Sequence, residues 1–592
     1  MTLTPTENET LPLRAGGFTT LVEALDYAAR GECGLNFHSA RGELVRALPY
    51  AELRERAIEA GRGLVNAGFP VGARVVLLAD TDADFVILFF ACQYAGLLPV
   101  PVALPTTLGG KEAYIASLRR QLTGCDASAA MAPAELLSYA QEAGDGLGLV
   151  LVGDPQAFYA LPAGNADPRP FGADGPCYLQ YSSGSTRDPL GVDIPQRAIT
   201  ANCNAIINDG LEARPHDRCT SWLPLYHDMG LVGFLLTPMM CQISVDYMTT
   251  RDFARRPLTW LQLITRNRGT LSYSPSFGYD LCCRRAGSAA DLAIDLSSWR
   301  AAGIGGDMVQ PGVLTRFVEA FGPYGFRRTA FVPSYGMAET SLAVSFAPLD
   351  TGMQVDVIDR RSMADEGVAV PAPAGDPAQG RAFVACGRPL IGHTAEIRDD
   401  DGKLLPERRI GRIFVKGPSV MAGYFRQPEA TALVLDASGW LDTGDLGYRL
   451  GEQLVITGRA KDLIIINGRN IWPQDLEWAV EEIPGLRRGD AAAFSIDGAK
   501  DEEQVVLLVQ CRTTDPAARE TLAREAKGVI QRTAAIDCTV CLVDPKGLPQ
   551  TSSGKLSRAR AKTNYLNGVY DPPADAGADP RPRRAAPAAP PG

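Results

Sequence analysis

Over most of the chain, short apolar runs alternate with amphipathic stretches. Between Thr19 and Gly451, for example, Arg74–Ala79 predicts a strand, Asp84–Gly96 a helix and Leu97–Val102 the next strand. Alternation of strands and helices predicts α/β layers around mostly parallel sheets.

Two segments depart from this alternation. Asp350–Gly380 is rich in Asp, Ala, Gly and Pro, which predicts a long surface insertion. Residues 571–592 are almost all Pro, Ala, Asp, Gly and Arg, so we expect a disordered tail. The basic cluster Arg581–Arg584 in that tail is either solvated or a contact for an acidic partner.

The character of the pattern changes around Gly458–Asp462. A smaller α+β unit follows, with a predicted strand at Leu463–Asn467 and a predicted helix at Gln474–Glu482. A chain of 592 residues is too long for one core. We therefore expect a flexible N-terminus over residues 1–18, a large layered α/β domain over 19–460 with an insertion at 350–380, a small mobile α+β domain over 461–570 and a disordered tail over 571–592.

Composition narrows the function class. The formal net charge is −10, which argues against a general nucleic-acid binder. Met1–Gly16 has no apolar segment of a secretory signal, and the densest apolar run, Phe85–Cys92, is far shorter than the roughly 18 residues that a membrane span needs. We expect a cytoplasmic monomer or dimer with no stable membrane association.

The 13 cysteines are scattered, as in a protein with reduced thiols. One Cys-x-x-Cys pair, Cys538 and Cys541, allows a zinc or redox site. The apolar and β-branched residues of Cys538–Val543 favour a buried strand instead.

A hydroxyl-rich loop follows the predicted strand Cys177–Tyr181. Its residues are Ser182, Ser183, Gly184, Ser185 and Thr186. Successive N–H groups and hydroxyls form a concave donor surface for phosphate oxygens, and Gly lets the backbone approach a ligand closely. On its own the loop fits a polar turn equally well.

Five further motifs follow in order. They are Leu223–Gly230, Ser334–Thr340, Trp440–Asp445, Gly458–Asp462 and Pro549–Leu556. Together with the loop they resemble the acyl-adenylating (ANL) superfamily of acyl-CoA synthetases, luciferases and peptide-synthetase adenylation domains. The resemblance extends over residues 20–565. It implies an acyl-adenylate synthetase fold that uses ATP and Mg²⁺ to join a carboxylic acid to AMP.

The resemblance implies three catalytic residues. Lys555 bridges the acyl carboxylate and the α-phosphate, Glu339 holds Mg²⁺, and His227 is a wall and gate of the acyl pocket. The alternative for Lys555 is a loop lysine that faces solvent, and the alternative for His227 is a structural histidine.

The same resemblance implies a nucleotide site and a hinge. Tyr335 offers its face to the adenine, Asp445 accepts from the ribose hydroxyls with support from Arg459, and Lys461 marks the hinge of the small domain. A turn aspartate and a surface lysine are the alternatives for Asp445 and Lys461. The implied nucleotide-binding set is Ser182, Ser183, Gly184, Ser185, Thr186, Gly305, Gly306, Asp307, Tyr335, Gly336, Met337, Thr340, Asp445 and Arg459.

Leu271–Tyr279 is apolar with small spacers and suits the wall of an acyl tunnel, although a core strand explains it too. It contains no acidic residue to pair with a substrate ammonium, which favours a fatty acid over an amino acid. The implied substrate pocket comprises His227, Asp228, Met229, Tyr273, Ser274 and Phe277.

Finer features resemble the fatty acyl-AMP ligases within this superfamily. They are Arg187 after the loop, Ser274–Tyr279 with Leu281 and Cys282, Cys386–Pro389 and the insertion before Cys386. In those ligases the insertion packs on the large domain and hinders the rotation that CoA chemistry needs. The resemblance thus implies transfer of the acyl group to the phosphopantetheine thiol of a holo-acyl carrier protein, in polyketide, lipopeptide or lipid synthesis. An acyl-CoA synthetase and a catalytically silent binding protein are the alternatives.

Three positions depart from the superfamily pattern. Leu190 replaces a basic residue of the phosphate loop, Gln196 stands where a histidine is common, and Gly305–Asp307 matches the adenine-side segment only loosely.

Overall fold

A computed structural model describes residues 11–105, 110–181, 190–373, 379–466, 469–497, 503–551 and 555–570. The phosphate-loop residues Ser182–Thr186, together with Arg187 and the tail 571–592, lie outside this part of the chain. The α/β fold class is confirmed. The chain divides into two compact units between Ala460 and Lys461.

The main sheet of the large unit has nine strands. Six consecutive strands in the sheet are parallel, and an antiparallel strand or pair flanks them at each side. In spatial order the strands are Arg388–Pro389, Ala343–Phe346, Phe331–Gly336, Ala301–Ile304, Leu271–Ser274, Arg218–Ser221, Ser244–Tyr247, Gly34–His38 and Leu44–Pro49. The carboxyl ends of the six parallel strands therefore meet at one edge.

A second, fully parallel sheet confirms the predictions made from the first apolar runs. Its strands are Leu98–Val102, Arg74–Leu78, Ala127–Met131 and Leu151–Gly153 in spatial order. The predicted helix runs over Ala83–Ala95 and is apolar on all faces, as expected of a buried helix. The Asp82 carboxylate caps its first turn, and Gly96 ends it at φ +65°.

Three smaller sheets complete the large unit. Gly423–Tyr424, Gly191–Pro195 and Pro176–Tyr181 form an antiparallel sheet beside the phosphate-loop segment. The four-stranded antiparallel sheet is Thr394–Arg398, Gly411–Lys416, Leu441–Leu450 and Gln453–Arg459. The two-stranded sheet pairs Val355–Asp359 with Gly380–Val384.

Helices cover the sheets of the large unit. The α-helices are Leu21–Ala28, Tyr50–Asn66, Ala83–Ala95, Lys111–Gly124, Leu137–Gly144, Pro155–Tyr159, Gln196–Ala205, Asp228–Leu231, Thr237–Met240, Thr250–Arg255, Leu258–Asn267, Ser276–Cys283, Pro311–Phe321, Arg360–Glu366 and Pro428–Ala432. Ile206–Gly210 and Val232–Leu236 are single π-helical turns. Among the described residues, no helix combines the length and apolarity needed to cross a bilayer.

Much of the segment 350–380 is ordered rather than a bare loop. It contributes the strand Val355–Asp359 and a short helix whose Met363 is buried. The Asp356 carboxylate accepts hydrogen bonds from Arg408, at 3.1 and 3.2 Å, and from the Tyr448 hydroxyl at 2.6 Å. The segment is thereby joined to the four-stranded antiparallel sheet of the same unit.

The small unit is an α+β structure. Its sheets are the hairpin Ile464–Ile466 with Arg469–Ile471 and the three strands Ala491–Asp497, Glu503–Gln510 and Cys538–Val543. Its helices are Pro473–Glu481, Pro516–Ala534 and Arg558–Leu566. The predicted strand and helix at the start of the unit are present with bounds shifted by one residue, Asn467 itself lying outside the described residues.

The strand interpretation of Cys538–Val543 is confirmed, although the strand is at a sheet edge and half-buried. Cys538 and Cys541 are three residues apart in it, so they project to opposite faces. Cys538 packs in a core with Ile530, and Cys541 borders the core that holds Phe494. Nowhere in the described residues do three side chains of metal-ligand type cluster. A zinc site built on this pair is therefore excluded by the geometry.

Candidate active site at the carboxyl edge of the main sheet

Four adjacent parallel strands of the main sheet end in the motifs that the sequence singled out. Ligands of open α/β sheets bind at this edge because the loops leaving the strands meet there. In strand order, the residues that follow or end the strands are His227, Phe277, Gly305–Asp307 and Tyr335. The structure thus brings together motifs that are more than 100 residues apart in the chain.

Asp445 is the centre of a group of predicted nucleotide-binding residues. Its strand pairs with Gln453–Arg459 in a register that puts Arg459 directly opposite. The Arg459 Nε lies 2.9 Å from the Asp445 Oδ1, and the Tyr335 hydroxyl donates to the Oδ2 at 2.7 Å. Three predicted nucleotide residues therefore meet at one buried carboxylate. Burial and this carboxylate raise the pKa of the Tyr335 hydroxyl, so it stays a donor.

Glu339 lies on a 3₁₀ turn, Ala338–Thr340, just beyond the strand that carries Tyr335. The Tyr424 hydroxyl donates to its Oε1 at 3.0 Å. Burial raises the pKa of the Glu339 carboxyl, Arg459 lowers it, and Asp228 raises it further. The acyl-side Asp228 and the nucleotide-side Arg459 are therefore both within electrostatic range of Glu339.

The donor set at Glu339 fits Mg²⁺. This ion keeps several waters and is held by one or two carboxylates together with substrate phosphates. The single half-buried carboxylate of Glu339 meets that description.

The backbone after Glu339 is strained. Ser341 has φ +65° and ψ −54°, and the Leu342 N–H donates to the Thr340 carbonyl at 2.8 Å, which is a γ-turn of the rare type. The Ser341 hydroxyl donates to the Ser419 carbonyl, which holds the turn in place. A Cβ at Gly336 would lie 1.8 Å from the Leu342 carbonyl oxygen, so this position requires glycine.

The resemblance implies that Thr340 offers its hydroxyl to a phosphate, and in this structure the hydroxyl contacts its own turn. Its side chain is fully buried, and its hydroxyl donates at 2.9 Å to the carbonyl of Met337, another residue of the implied nucleotide set. In this structure it closes the turn rather than facing a phosphate.

The acyl-side motif begins a helix. The ring nitrogen Nδ1 of half-buried His227 lies 2.6 Å from the Asp228 Oδ1. The Met229 N–H donates to that same carboxylate oxygen at 2.7 Å. The π-helical turn Val232–Leu236 follows. This arrangement fixes the His227 ring at the sheet edge, as a wall residue requires.

The predicted wall Leu271–Tyr279 is a strand followed by a helix, so one continuous strand is excluded. The buried Tyr273 ring crosses the neighbouring strand at Gly303, where a Cβ would lie 2.0 Å from the ring. Its ring centroid is 6.1 Å from that of Phe234 and 5.9 Å from that of Phe346. Ser274, also buried, donates to the Pro275 carbonyl.

Phe277 of the predicted substrate pocket and Asp307 of the predicted nucleotide set belong to neighbouring segments. Phe277 is 40% exposed and its ring meets Trp222 edge-on at 5.6 Å. The Asp307 carboxylate accepts from the N–H of Ser276 at 3.3 Å, at the start of the helix that carries Phe277. Gly306 has φ +80°. The loosely matching segment Gly305–Asp307 therefore contacts the start of the helix in the predicted acyl wall.

Sequence reasoning missed Tyr424 and Gln180. Tyr424 reaches Glu339 because its strand pairs with Val192, a non-local pairing that no spacing in the sequence reveals. Gln180 is buried, and its side-chain amide donates to the Tyr226 carbonyl at 2.7 Å, which joins the strand before the phosphate loop to the His227 segment. A glutamine within an apolar strand is the signal that identifies it.

Gln196, where a histidine is common, is explained by its contacts. It accepts from the Leu21 N–H at 3.0 Å and donates to Gln93 at 2.8 Å. Gln93 in turn donates to the Cys177 carbonyl at 2.7 Å. Gln196 is therefore part of a buried amide network under the strand that leads into the phosphate loop. Nothing in the structure explains Leu190.

Lys555 and Lys461 belong to the small unit. Lys555 is the last residue of a turn in which the Thr551 N–H donates to the Lys555 carbonyl at 2.7 Å. The Thr551 hydroxyl accepts from the Lys555 N–H at 3.2 Å. Lys461 lies in the 3₁₀ turn Ala460–Asp462. These backbone contacts give both lysines defined starting positions within their unit.

Comparison with known proteins identifies the family of the chain. The family model described as AMP-binding enzyme matches residues 37–425. A Caulobacter vibrioides protein, provisionally named an acyl-CoA synthetase, is 52% identical over 96% of this chain and 99% of its own. The medium-chain-fatty-acid–[acyl-carrier-protein] ligase JamA of Moorena producens is 31% identical over 94% of this chain and 96% of its own.

A solved structure from a study of fatty acyl-adenylate ligases of E. coli and L. pneumophila has a TM-score of 0.89. It is 44% identical and covers 94% of this chain and 99% of its own. Fold and site thus define an adenylate-forming ligase. The chain belongs to the AMP-binding enzyme family.

Proposed function

We propose that this enzyme activates a fatty acid as acyl-AMP, with release of pyrophosphate, and transfers the acyl group to the phosphopantetheine thiol of an acyl carrier protein. The observation that carries the first part is the shared sheet edge, where the Asp445 group stands beside an aromatic acyl wall without a carboxylate in Leu271–Tyr279. The names of the JamA relative and of the solved acyl-adenylate ligases support a fatty acid.

The chemistry assigns a role to each unit. A carboxylate acylates poorly because oxide would have to leave, whereas the mixed anhydride with AMP has a good leaving group. Its formation brings two anions together, so positive charge must stabilise the transition state. Lys555 supplies this charge, while Tyr335, Asp445 and Arg459 hold the nucleoside. No general base is needed because the acid is already ionised at neutral pH.

Glu339 would hold Mg²⁺ on the phosphates of ATP, where the ion supplies further positive charge. Tyr424 orients the Glu339 carboxylate, and His227 and Phe277 border the acyl group. The phosphate-loop residues Ser182–Thr186 would donate to the phosphate oxygens.

The second part of the proposal concerns the molecule that accepts the acyl group. Rotation of the small unit at Lys461 would separate adenylation from acyl transfer and would keep water from the anhydride. The ordered segment that Asp356 joins to the antiparallel sheet supports a carrier protein, since an insertion here is the feature shared with fatty acyl-AMP ligases. The 52% identity to a protein provisionally named an acyl-CoA synthetase favours CoA as the second candidate acceptor.

One experiment separates these candidates. The protein is incubated with ATP, Mg²⁺ and saturated fatty acids of graded length, with CoA, a holo-carrier protein or the apo form of that carrier as the control. Acyl-AMP and acylated holo-carrier with little acyl-CoA, quantified by mass spectrometry, would support the proposal. Abundant acyl-CoA would overturn the carrier acceptor, and no acyl-AMP from any acid would overturn adenylation itself.

A further inference from the structure

Arg558 in the small unit contacts two other segments of that unit at once. Its Nε and Nη2 lie 2.7 and 2.6 Å from the two carboxylate oxygens of Glu477, and its Nη1 lies 3.1 Å from the Asp462 Oδ2. The Glu477 Oε1 also accepts from the N–H of Ala493 at 2.9 Å. One guanidinium therefore joins the start of a helix, the middle of another helix and the segment that opens the unit.

These three side chains are largely withdrawn from water. The side chain of Arg558 is 16% exposed, that of Asp462 17% and that of Glu477 4%. Burial opposes the charged guanidinium, but Glu477 and Asp462 raise the pKa of Arg558 well above its ordinary value. A planar guanidinium suits a bidentate carboxylate contact in a way that lysine cannot reproduce.

Two of the residues in this contact lie close in the chain to Lys461 and to Lys555, respectively. Asp462 directly follows the hinge residue Lys461. Arg558 is the first residue of the helix Arg558–Leu566 and comes three residues after Lys555. The Ser557 N–H donates to the Pro549 carbonyl at 2.9 Å, which ties the helix start to the base of the turn that ends at Lys555.

We infer that Arg558 is a positioning residue that couples the hinge at Lys461 to Lys555, the lysine proposed to stabilise the transition state. Its contacts with Asp462 and Glu477 make the segment after Lys461, the helix Pro473–Glu481 and the base of the Lys555 turn one rigid body. A rotation at the hinge then turns Lys555 through the same angle. The inference rests on the proposed adenylation, in which Lys555 acts on the transition state.

The test compares Arg558→Met with Arg512→Met in the full chain. Arg512 is the matched control because it makes a bidentate pair with buried Asp490 in the same unit, at 2.5 and 2.9 Å, and neither residue belongs to the hinge segment or to the Lys555 turn. We expect Arg558→Met to lower kcat for acyl-AMP formation roughly 10²-fold, as misplacement of a catalytic group by about 1 Å does. The KM for ATP should change less than about threefold, since Tyr335 and Asp445 lie in the large unit.

Thermal unfolding of both variants shows whether either loses the folded unit. Arg558→Lys keeps the charge but not the bidentate contact, so we expect it to recover only part of kcat. A double-mutant cycle with Lys555→Ala adds a readout that a structural role would not move. If Arg558 acts through Lys555, Arg558→Met causes no further loss in the Lys555→Ala background.

The outcomes are distinct. Equal kcat values in Arg558→Met and Arg512→Met, or full additivity in the cycle, would overturn the coupling while leaving adenylation intact. Absence of acyl-AMP in the unsubstituted protein would instead remove the proposed function on which the coupling rests.

Discussion

The Arg459–Asp445 pair of the large unit and the Arg558–Glu477–Asp462 group of the small unit differ in solvent exposure. In the large unit, Arg459 is 46% exposed beside Asp445, whose side chain is 8% exposed. In the small unit, Arg558 is closed in by Glu477 and Asp462. In the large-unit group the arginine is open to solvent, whereas in the small-unit group all three side chains are largely buried and contact one another. The contrast fits the binding role proposed for Asp445 and the positioning role proposed for Arg558.

Energetics agree with this contrast. A partly exposed ion pair such as Arg459–Asp445 contributes only about 0–1 kcal/mol to folding. Removing one partner of a buried charged group costs more, about 3–5 kcal/mol, because the remaining charge stays desolvated. Substitutions in the large-unit group should therefore change affinity for ATP, and those in the small unit should change rate or stability.

The largest effect is expected at Lys555. Lys555→Ala removes the positive charge offered to the meeting anions and should lower kcat for acyl-AMP formation by roughly 10³-fold, with a small change in the KM for ATP. Pyrophosphate release under saturating ATP and acid measures it. The control is Lys527→Ala, an exposed lysine of the same unit that pairs with Asp537. Activity of Lys555→Ala close to that of the control would contradict the role.

An intermediate effect is expected at Asp445. Asp445→Asn keeps one acceptor oxygen but loses the charge that faces Arg459 and the ribose. A hydrogen bond to a charged group is worth about 1.5–3 kcal/mol, so the KM for ATP should rise about 10- to 100-fold. Initial rates at varied ATP concentration measure this. Asp442→Asn is the control, because Asp442 lies in the same motif but pairs with Arg412. A fall in kcat at unchanged KM would break the distinction between the units.

The smallest effect concerns stability alone, at Glu481, one helical turn after Glu477. Burial, and then repulsion by Glu477, raise its pKa to about 7 from an ordinary 4.5, while its contact with the Gly489 N–H and nearby Arg488 oppose the rise. The folded state therefore binds this proton more tightly than the unfolded chain. Its contribution to stability is largest below pH 4.5 and is lost as pH rises towards 7.

Glu481→Gln is neutral at every pH and should remove this dependence. At pH 8 the variant should be more stable than the unsubstituted protein by about 1–3 kcal/mol, and near pH 4 the two should differ little. Hydrogen exchange in Pro473–Glu481 reports the difference locally. Glu520→Gln, at an exposed glutamate paired with Arg524, is the control and should behave alike at both pH values. An unchanged pH dependence in Glu481→Gln would refute the assignment.

The sequence predicts local elements well because local patterns determine them. Arg74–Ala79, Asp84–Gly96 and Cys538–Val543 have the periodicity or length of their elements, and the structure has a strand, a helix and a strand there. The positions of Tyr335 and Asp445 also follow from motif order, since family motifs mark them.

Contacts that depend on pairing between distant segments cannot be predicted from local sequence patterns. Tyr424 reaches Glu339 through a strand pairing across more than 200 residues, and Gln196 replaces a histidine because a buried amide network satisfies it. Thr340 has the residue type of a phosphate ligand, yet its hydroxyl is used by its own turn. Composition also concealed the order in segment 350–380, where Asp356 provides an anchor that Pro and Gly content does not show.

The cysteines have a practical consequence for observing domain movement. Eleven of the 13 thiols are buried, and the two at the Cys-x-x-Cys positions face away from each other across a strand. Burial raises the pKa of many of these thiols, such as Cys203 to about 12, which leaves little thiolate to react with a maleimide. If one cysteine is introduced on the surface of each unit, the two added thiols would then react with nearly all of the donor and acceptor dyes. Energy transfer between the two dyes could follow the hinge in real time without first removing the native thiols.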